Sequence, residues 1–368
     1  MYGGICYFCS RIKKTHMSTF FKQPKTWVAI ALLAVTAVTL SAWVVRHSQQ
    51  KRCVDIPNSV YYWKTRFYPL DSNEKAFLTG NNIRRIYVRF FDVELNRDGS
   101  FHDTCAPVGS IECYPGALKY LDSLQVEIVP VVFITPEAVK AWRSFSDNLA
   151  HRLYAMCLYH RISIREVQFD CDWTAGSREA YFQFLKAVRP VLEGYFQKKL
   201  LLSSTIRLHQ LAQAPPEADY GVLMCYNTGD FKNFDTQNSI LDAKDVKPYT
   251  KWLKKYRLPM ALALPAYSWC VEFDGHKQFV NLNRRRWNAE DTLEFKPMGN
   301  NLYERRDAEE WPEDAVRYIR HERVPAETIL EAKRLIQKKM GKTAVILFHL
   351  DGHELSKYSE NEIKDFYH

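Results

Sequence analysis

A chain of 368 residues, 46% hydrophobic and 25% charged, holds enough apolar side chain for one large domain or two small ones and is no disordered tail. Its formal net charge of +9 would suit a nucleic-acid partner, but the Lys and Arg residues are dispersed outside a basic N-terminus and Arg284-Arg285-Arg286. No P-loop, zinc knuckle or aromatic RNA-binding signature accompanies them, so nucleic acid is excluded and the charge reads as solubility.

In chain order, residues 1–26 are basic and contain no acid, with Arg11, Lys13, Lys14, Lys22 and Lys25 among them. From 27 to 45 there is no charged residue, a length that crosses a bilayer as a helix, and residues 27–46 are expected to be one transmembrane anchor. The positive-inside bias favours a cytoplasmic N-terminus, with the bulk of the chain outside. The alternative is secretion after signal cleavage, with Leu40-Ser41-Ala42 as the processing site, but the apolar run continues through Val45 and favours an anchor. Trp43 stands where a lipoprotein would carry its lipidated Cys, and Met17 is an alternative start. Residues 47–58 read as a linker and 59–368 as the folded domain.

Within that domain, strands are expected at 61–67 and 83–93, with a short helix at 72–79 between them. A loop with Pro107 and Gly109 follows, flanked by Cys105 and Cys113, and a disulfide between these two is expected in an oxidising compartment. After a helix at 115–123 comes the third strand, 127–134. Thr135-Pro136-Glu137 then supplies an N-cap and a Pro at the first helical position, opening a helix to about Tyr159. The fourth strand is 166–174, and the spacing of Tyr181, Phe184, Leu185, Val188 and Leu192 predicts a helix over 178–195. Strands at 200–208, 220–227, 260–267 and 343–350 complete eight. Between the seventh and the eighth, residues 272–323 are too long for a loop and read as a small insertion, with strand-like pieces at 292–295 and 301–305. A last helix at 325–340 ends at Gly341. The pattern predicts an α/β fold, a (β/α)8 TIM barrel with an insertion after the seventh strand. An open doubly wound sheet is the runner-up, but no Gly-rich phosphate turn follows the early strands.

The most informative stretch is Glu166-Val167-Gln168-Phe169-Asp170-Cys171-Asp172-Trp173-Thr174. On a strand Asp170, Asp172 and Thr174 share one face, while Phe169, Cys171 and Trp173 take the other and face the helices. Two carboxylates on the inward face at a strand's C-terminal end mark the mouth of a site. Their ordinary role would be as solvated acids at a strand end or as an N-cap pair for the helix near Ser177, although a cap needs only one short oxygen.

Four strand ends together resemble the chitinase-like family 18 glycoside hydrolases. Asp170-Cys171-Asp172-Trp173-Thr174 is similar to that family's Asp-x-Asp-x-Glu up to its last position. Met224-Cys225-Tyr226-Asn227 is similar to its Met-x-Tyr-Asp, Tyr267 to the Tyr after its seventh strand, and Phe348-His349-Leu350-Asp351-Gly352 to its Trp-Ser-Leu-Asp-Gly. The resemblance implies a glycan or cell-envelope polysaccharide as partner; the chain also looks similar to bacterial envelope barrels that have no assigned activity, which together with the anchor places the barrel in the periplasm. In the family the terminal Glu protonates the leaving oxygen, while the neighbouring Asp orients an acetamido group that acts as internal nucleophile. Thr174 stands at the acid's position, and a hydroxyl is no proton donor near neutral pH. Phe348 likewise replaces the family's Trp.

Catalytic candidates are therefore Asp170 and Asp172, with Asp92 and Glu94 at the end of the second strand and Glu272, Asp274 and Asp351 as further acids near the mouth. Arg89 and Arg207 are placed either to hold substrate or to tie up the strand-four acids as an ion-pair network. Tyr226, Asn227, Tyr267, Trp269, Phe348 and Asp351 are substrate-binding candidates, since sugar rings stack on aromatic faces. Trp63 also falls near a strand end. His209 and His349 have no ligand partner at metal spacing, and Cys6-x-x-Cys9 has no second pair, so no metal or cofactor is expected. Three readings stay open: a hydrolase using Asp172 with an acid from another loop, an inactive carbohydrate-binding or scaffold protein, and a cleft that binds peptide or lipid head groups.

Overall fold

The computed structural model describes residues 28, 32–41, 54–96, 104–114, 117–285 and 287–368, in two units, Met1–Gln50 and Lys51–His368. Val28 and residues 32–41 of the first unit are helical; Cys6, Cys9, Met17 and the rest of the expected anchor lie outside the described residues. Among the described residues no helix is long and apolar enough to cross a membrane.

The second unit begins with β1 (Ser59–Tyr62), α1 (Ser72–Gly80), β2 (Arg85–Asn96) and β3 (Thr104–Val108). It continues through β4 (Glu127–Ile134), α2 (Trp142–Tyr159), β5 (Glu166–Asp170), α3 (Arg178–Phe196) and β6 (Leu201–Arg207) to β7 (Tyr220–Met224) and β8 (Met260–Pro265). The inserted region holds β9 (Ser268–Asp274), β10 (Phe279–Asn283), α4 (Ala289–Glu294), β11 (Phe295–Gly299), β12 (Leu302–Arg305) and β13 (Val316–Arg323). Then come α5 (Ala326–Met340), β14 (Val345–Phe348), α6 (Gly352–Leu355) and α7 (Glu360–Tyr367).

Eight of these strands pair in parallel as a closed ring, in the order β1, β2, β4, β5, β6, β7, β8, β14 and back to β1. Closure removes every sheet edge, and β3 pairs antiparallel with the part of β2 that runs past the ring. Strands such as β8, Met-Ala-Leu-Ala-Leu-Pro, are buried along their whole length because helices cover the outer face and neighbouring strands fill the inner one. In α3 the expected stripe of Tyr181, Phe184, Leu185, Val188 and Leu192 is the buried face, and Gln197 closes the helix at φ 51°. Each such side chain contributes roughly 1.5–3 kcal/mol by leaving water.

Several elements depart from the sequence expectation, each for a local reason. The first strand ends at Tyr62, and Arg66–Phe67 instead pairs with Glu112–Cys113. The helix toward Tyr159 starts as a 3-10 turn, Ala138–Ala141, with Thr135 Oγ1 accepting from Ala138 N, and becomes α-helical only at Trp142. Of the strand expected at 292–295, residues 292–294 are the end of α4 and Phe295 opens β11, because Asn288 and Asp291 form a reciprocal capping box that outweighs the β preference of Thr292. Cys105 and Cys113 form no disulfide: Cys105 Sγ donates to the Ala138 carbonyl at 3.7 Å, and Cys113 is a thiol whose pKa burial pushes up to about 11. The acidic strand stops at Asp170, so the face alternation does not extend to Thr174.

The inserted strands form one five-stranded sheet, held to the barrel by a buried ion pair on one face of β13. Arg320 Nε lies 2.6 Å from Glu322 Oε1, and both side chains are sealed from water. Arg320 donates to the carbonyls of Phe231, Asn233 and Phe234 in the loop after β7, while Glu322 Oε2 accepts from Ser239 N and Oγ and from Trp269 Nε1. Removing one partner strands the other charge. Arg320→Met is expected to lower stability by about 3–5 kcal/mol in urea unfolding; a loss under about 1 kcal/mol would show that the pair holds little.

Candidate functional site

At the C-terminal ends of the strands the ring opens into a cavity of about 310 Å³. Its charged wall comes from Arg89, Asp92, Asp170, Asp172, Arg207 and Arg284. Trp63, Phe133, Tyr226, Tyr267 and Phe348 supply the aromatic wall, and Asn227 completes the lining. The volume sits at the small end of ligand sites, which run from about 300 to 1,000 Å³.

Alternation along β5 and β6 explains how the acids reach this place. Residues two apart on each strand face the barrel axis, and the two strands match them in rungs. On the lowest rung Ser203 Oγ donates to Glu166 Oε1 at 2.5 Å, and Gln168 Nε2 donates to Ser203 Oγ at 3.1 Å. Above it, Thr205 Oγ1 donates to Asp170 Oδ1 at 2.5 Å. At the top Arg207 pairs through Nε with Asp172, and its Nη2 lies 3.9 Å from Asp170 Oδ1. Asp170 is only 3% exposed, and burial raises its pKa to about 6 although Arg207 and Thr205 pull it down; Asp172 and Asp92 add to the rise. The two acids push the Arg207 guanidinium the other way, further above its usual range, against the effect of burial.

A β-bulge supplies the second ion pair. Arg89 and Asp92 are three apart, which on a regular strand puts them on opposite faces; the register slips between Arg89 and Phe91, and the extra residue brings both into the cavity. There Arg89 donates from Nε to Asp92 Oδ1 at 2.7 Å. Gly109, at φ +57°, packs on this pair, and a Cβ there would come within 3.0 Å of Arg89 Nη2.

Phe348 is the hub of the aromatic wall. Its ring centroid is 5.7 Å from Trp63, 4.9 Å from Tyr226 and 5.5 Å from Tyr267. Tyr267 Oη donates to Asn227 Oδ1 at 2.6 Å, and Asn227 takes the left-handed conformation at φ 54°, which Asn tolerates better than most residues. A second lobe of about 290 Å³ shares Asp172, Arg207, Tyr226 and Asn227 with the first and adds Leu208, His209, Met224, Thr228 and Tyr249.

The remaining candidates stand elsewhere. Glu94 is exposed where β2 runs past the ring and pairs with Ala106 on β3. Trp269 is buried, with Nε1 donating to Glu322 at 2.9 Å. Asp351 caps α6 by accepting from His353 N and Glu354 N, and it lies 3.1 Å from Lys64, which holds its carboxyl below the usual range despite burial. Glu272 and Asp274 stay in the inserted sheet, accepting from Asn281 and Gln278. Trp173 is fully buried and meets Phe182 of α3 edge-on at 5.5 Å. Thr174 is exposed at the turn into α3, where its N donates to Ser177 Oγ and its carbonyl accepts from Arg178 N; it does not line the cavity. Neither acid of the pair caps that helix. Among the described residues no cluster of three or more His, Cys, Asp or Glu could share a metal ion.

Sequence reasoning missed Thr205, Phe133 and Arg284. The alternation Ser203-x-Thr205-x-Arg207 was a usable signal for the first, since polar residues repeating on the inner face of a barrel strand must meet something polar. Arg284 read only as part of a basic run.

Asp170 makes a testable mark on stability. Its folded-state pKa is raised, so between the ordinary aspartate value and about 6 the native chain holds a proton that the unfolded chain has released, and stability falls as pH rises through that window. Relative to Asp170→Asn, the wild type is expected to lose up to about 3 kcal/mol between pH 4 and pH 7 in urea unfolding. A constant difference, or one that moves the other way, would show that Arg207 holds Asp170 as a stable carboxylate.

No family model matches the chain, and no curated protein does. Among solved structures, a chitinase from Chromobacterium violaceum ATCC 12472 superposes with a TM-score of 0.52 at 12% identity, covering 84% of this chain and 99% of that one. The spore cortex-lytic enzyme SleL of Bacillus megaterium QM B1551 gives 0.49 at 13% identity, covering 86% of this chain and 76% of that one. A class V chitinase mutant from Cycas revoluta, in complex with (GlcNAc)3, gives 0.49 at 9% identity, with 84% and 99% covered. At 12% identity the first of these likenesses is one of fold: this chain is built on the same barrel as the Chromobacterium chitinase.

Proposed function

We propose that the cleft binds a glycan without cleaving it by the route of the chitinase-like hydrolases. The observation that carries this reading is the placement of Thr174 outside the cavity while Arg207 holds the acids inside it. The residue at the proton donor's position is a hydroxyl on an exposed turn outside the cavity, while Asp172 and Asp170 are drawn to one guanidinium. A binding site remains: an aromatic wall around Phe348 for the apolar face of a sugar ring, and hydrogen-bonding groups opposite it. The barrel shared with a chitinase supports a glycan as the ligand. In this reading Tyr226, Asn227, Tyr267 and Phe348 hold the sugar, and Arg89 and Arg207 keep the acids in place. The segment 27–46 would hold the domain at the outer face of a bacterial inner membrane, with cell-envelope polysaccharide as the partner; secretion after cleavage is its alternative.

A hydrolase is the second reading, and Asp170 favours it: a buried carboxyl raised to about 6 suits a general acid. Asp172 or Asp92 would then be the partner carboxylate.

The full-length chain, incubated with chito-oligosaccharides and with peptidoglycan fragments, separates the two when calorimetry and mass spectrometry are run on the same mixtures. Binding is expected with no shorter products, and Trp63→Ala is expected to weaken it about ten-fold by removing a stacking face. New products that vanish in Asp170→Asn or Asp172→Asn would establish the hydrolase instead.

A further inference from the structure

We propose that Arg284, supplied by the inserted sheet, makes this cleft selective for a sugar that carries a single carboxylate; the inference rests on the glycan reading above. Among the described residues three guanidiniums line the cavity, and two of them are engaged. Arg89 is paired with Asp92, and Arg207 lies between Asp172 and Asp170. Arg284 makes no hydrogen bond or ion pair among the described residues, and it is exposed at the mouth.

The local chain fixes which arginine points where. β10 ends at Asn283, whose Oδ1 accepts from Arg285 N at 2.9 Å, a turn that fixes the backbone just past the strand. Arg285 is drawn into the insertion, with Nη1 on Asp291 and its guanidinium 5.7 Å from the Trp287 ring. Arg284 is left to the cavity side. Its charge is felt there: it is the largest of the effects that oppose the upward push of burial on the Tyr267 hydroxyl.

An arginine on a convex surface is satisfied by water and implies nothing. Arg284 stands instead beside a concave aromatic wall, where a docked ring displaces water and strengthens any charge-assisted bond at its edge. The acids do not cancel it. Asp170 is on the floor, accepting from Thr205 and close to Arg207, and Asp92 and Asp172 are held by their own arginines. One unengaged positive charge matches one carboxylate. A phosphate monoester, with about −1.5 to −2 charges, would add surplus negative charge near three acids.

The test compares four probes on the full-length chain at low ionic strength by calorimetry: the disaccharide N-acetylglucosaminyl-N-acetylmuramic acid, its methyl ester, neutral N,N′-diacetylchitobiose, and N-acetylglucosamine 6-phosphate. The acid is expected to bind on the order of ten-fold more tightly than the ester. That ratio should fall to about one in Arg284→Gln, survive in part in Arg284→Lys, and shrink with added salt. Equal binding of acid and ester by the wild type, or an unchanged ratio in Arg284→Gln, would overturn the inference and leave the glycan reading standing. Tighter binding of N-acetylglucosamine 6-phosphate than of the carboxylated sugar would also overturn it. No binding of any probe would overturn both. Because Arg284 is exposed and has no hydrogen-bond or ion-pair partner among the described residues, its variants should fold, and thermal melts matching the wild type verify this.

Discussion

The guanidinium of Arg207 reaches Asp172 directly and lies 3.9 Å from Asp170, so two carboxylates from one strand end meet a single positive charge. Without it the acids would repel, and one would keep its proton well into the neutral range. With it the mouth of the barrel has a fixed shape, and the charge that a hydrolase would use is largely neutralised in place. Burial still leaves its mark on Asp170, whose pKa stays near 6. The cleft is thus polar and charged on one wall and aromatic on the other.

The same device recurs at the opposite end of the barrel with a different outcome. Arg85 bridges Glu127 at 2.8 Å and Glu166 at 3.0 Å, and Tyr87 and Tyr220 share a hydrogen bond of 2.6 Å beside it. Glu166 is fully buried, whereas the Asp172 side chain is 45% exposed. One arginine bridge therefore seals the bottom of the barrel and the other borders an open cavity. Between them Tyr61 donates to Gln168 at 2.6 Å, so the barrel axis carries a nearly continuous hydrogen-bonded column. The insertion adds Arg284 at the mouth, for which the described residues supply no ion-pair partner, and the buried Arg320–Glu322 pair keeps that sheet against the loop after β7.

Much of this was legible from residue pattern. Buried β-rich runs separated by helical spacing foretold the ring of eight, and the Asp170, Asp172 repeat pointed to the strand-end cavity because face alternation is a property of any strand. The cavity also holds Asp92, Arg89, Arg207, Tyr226, Asn227, Tyr267 and Phe348 from the expected set. What the pattern hid depends on irregular backbone or on distant packing. The bulge at Phe90 reverses the face of Asp92 relative to Arg89, the end of β5 at Asp170 turns Thr174 away, and the capping box at Asn288 converts an expected strand into a helix. Trp269 and Asp351 have the right residue types near strand ends, but Glu322 and Lys64 hold them outside the cavity. Arg284 could not be told from its neighbours, since only the fold decides which member of a basic run faces a cleft.

The measurement that bears most directly on the central claim is a crystal structure of the full-length chain grown with N,N′,N″-triacetylchitotriose at neutral pH and kept for weeks before data collection. An intact oligosaccharide is expected, with a ring against Trp63 and Phe348, the Asp172–Arg207 pair unbroken, and no sugar oxygen on Thr174 Oγ1. A shortened sugar in the cavity, or a glycosidic oxygen in contact with a carboxyl released from its arginine, would contradict it.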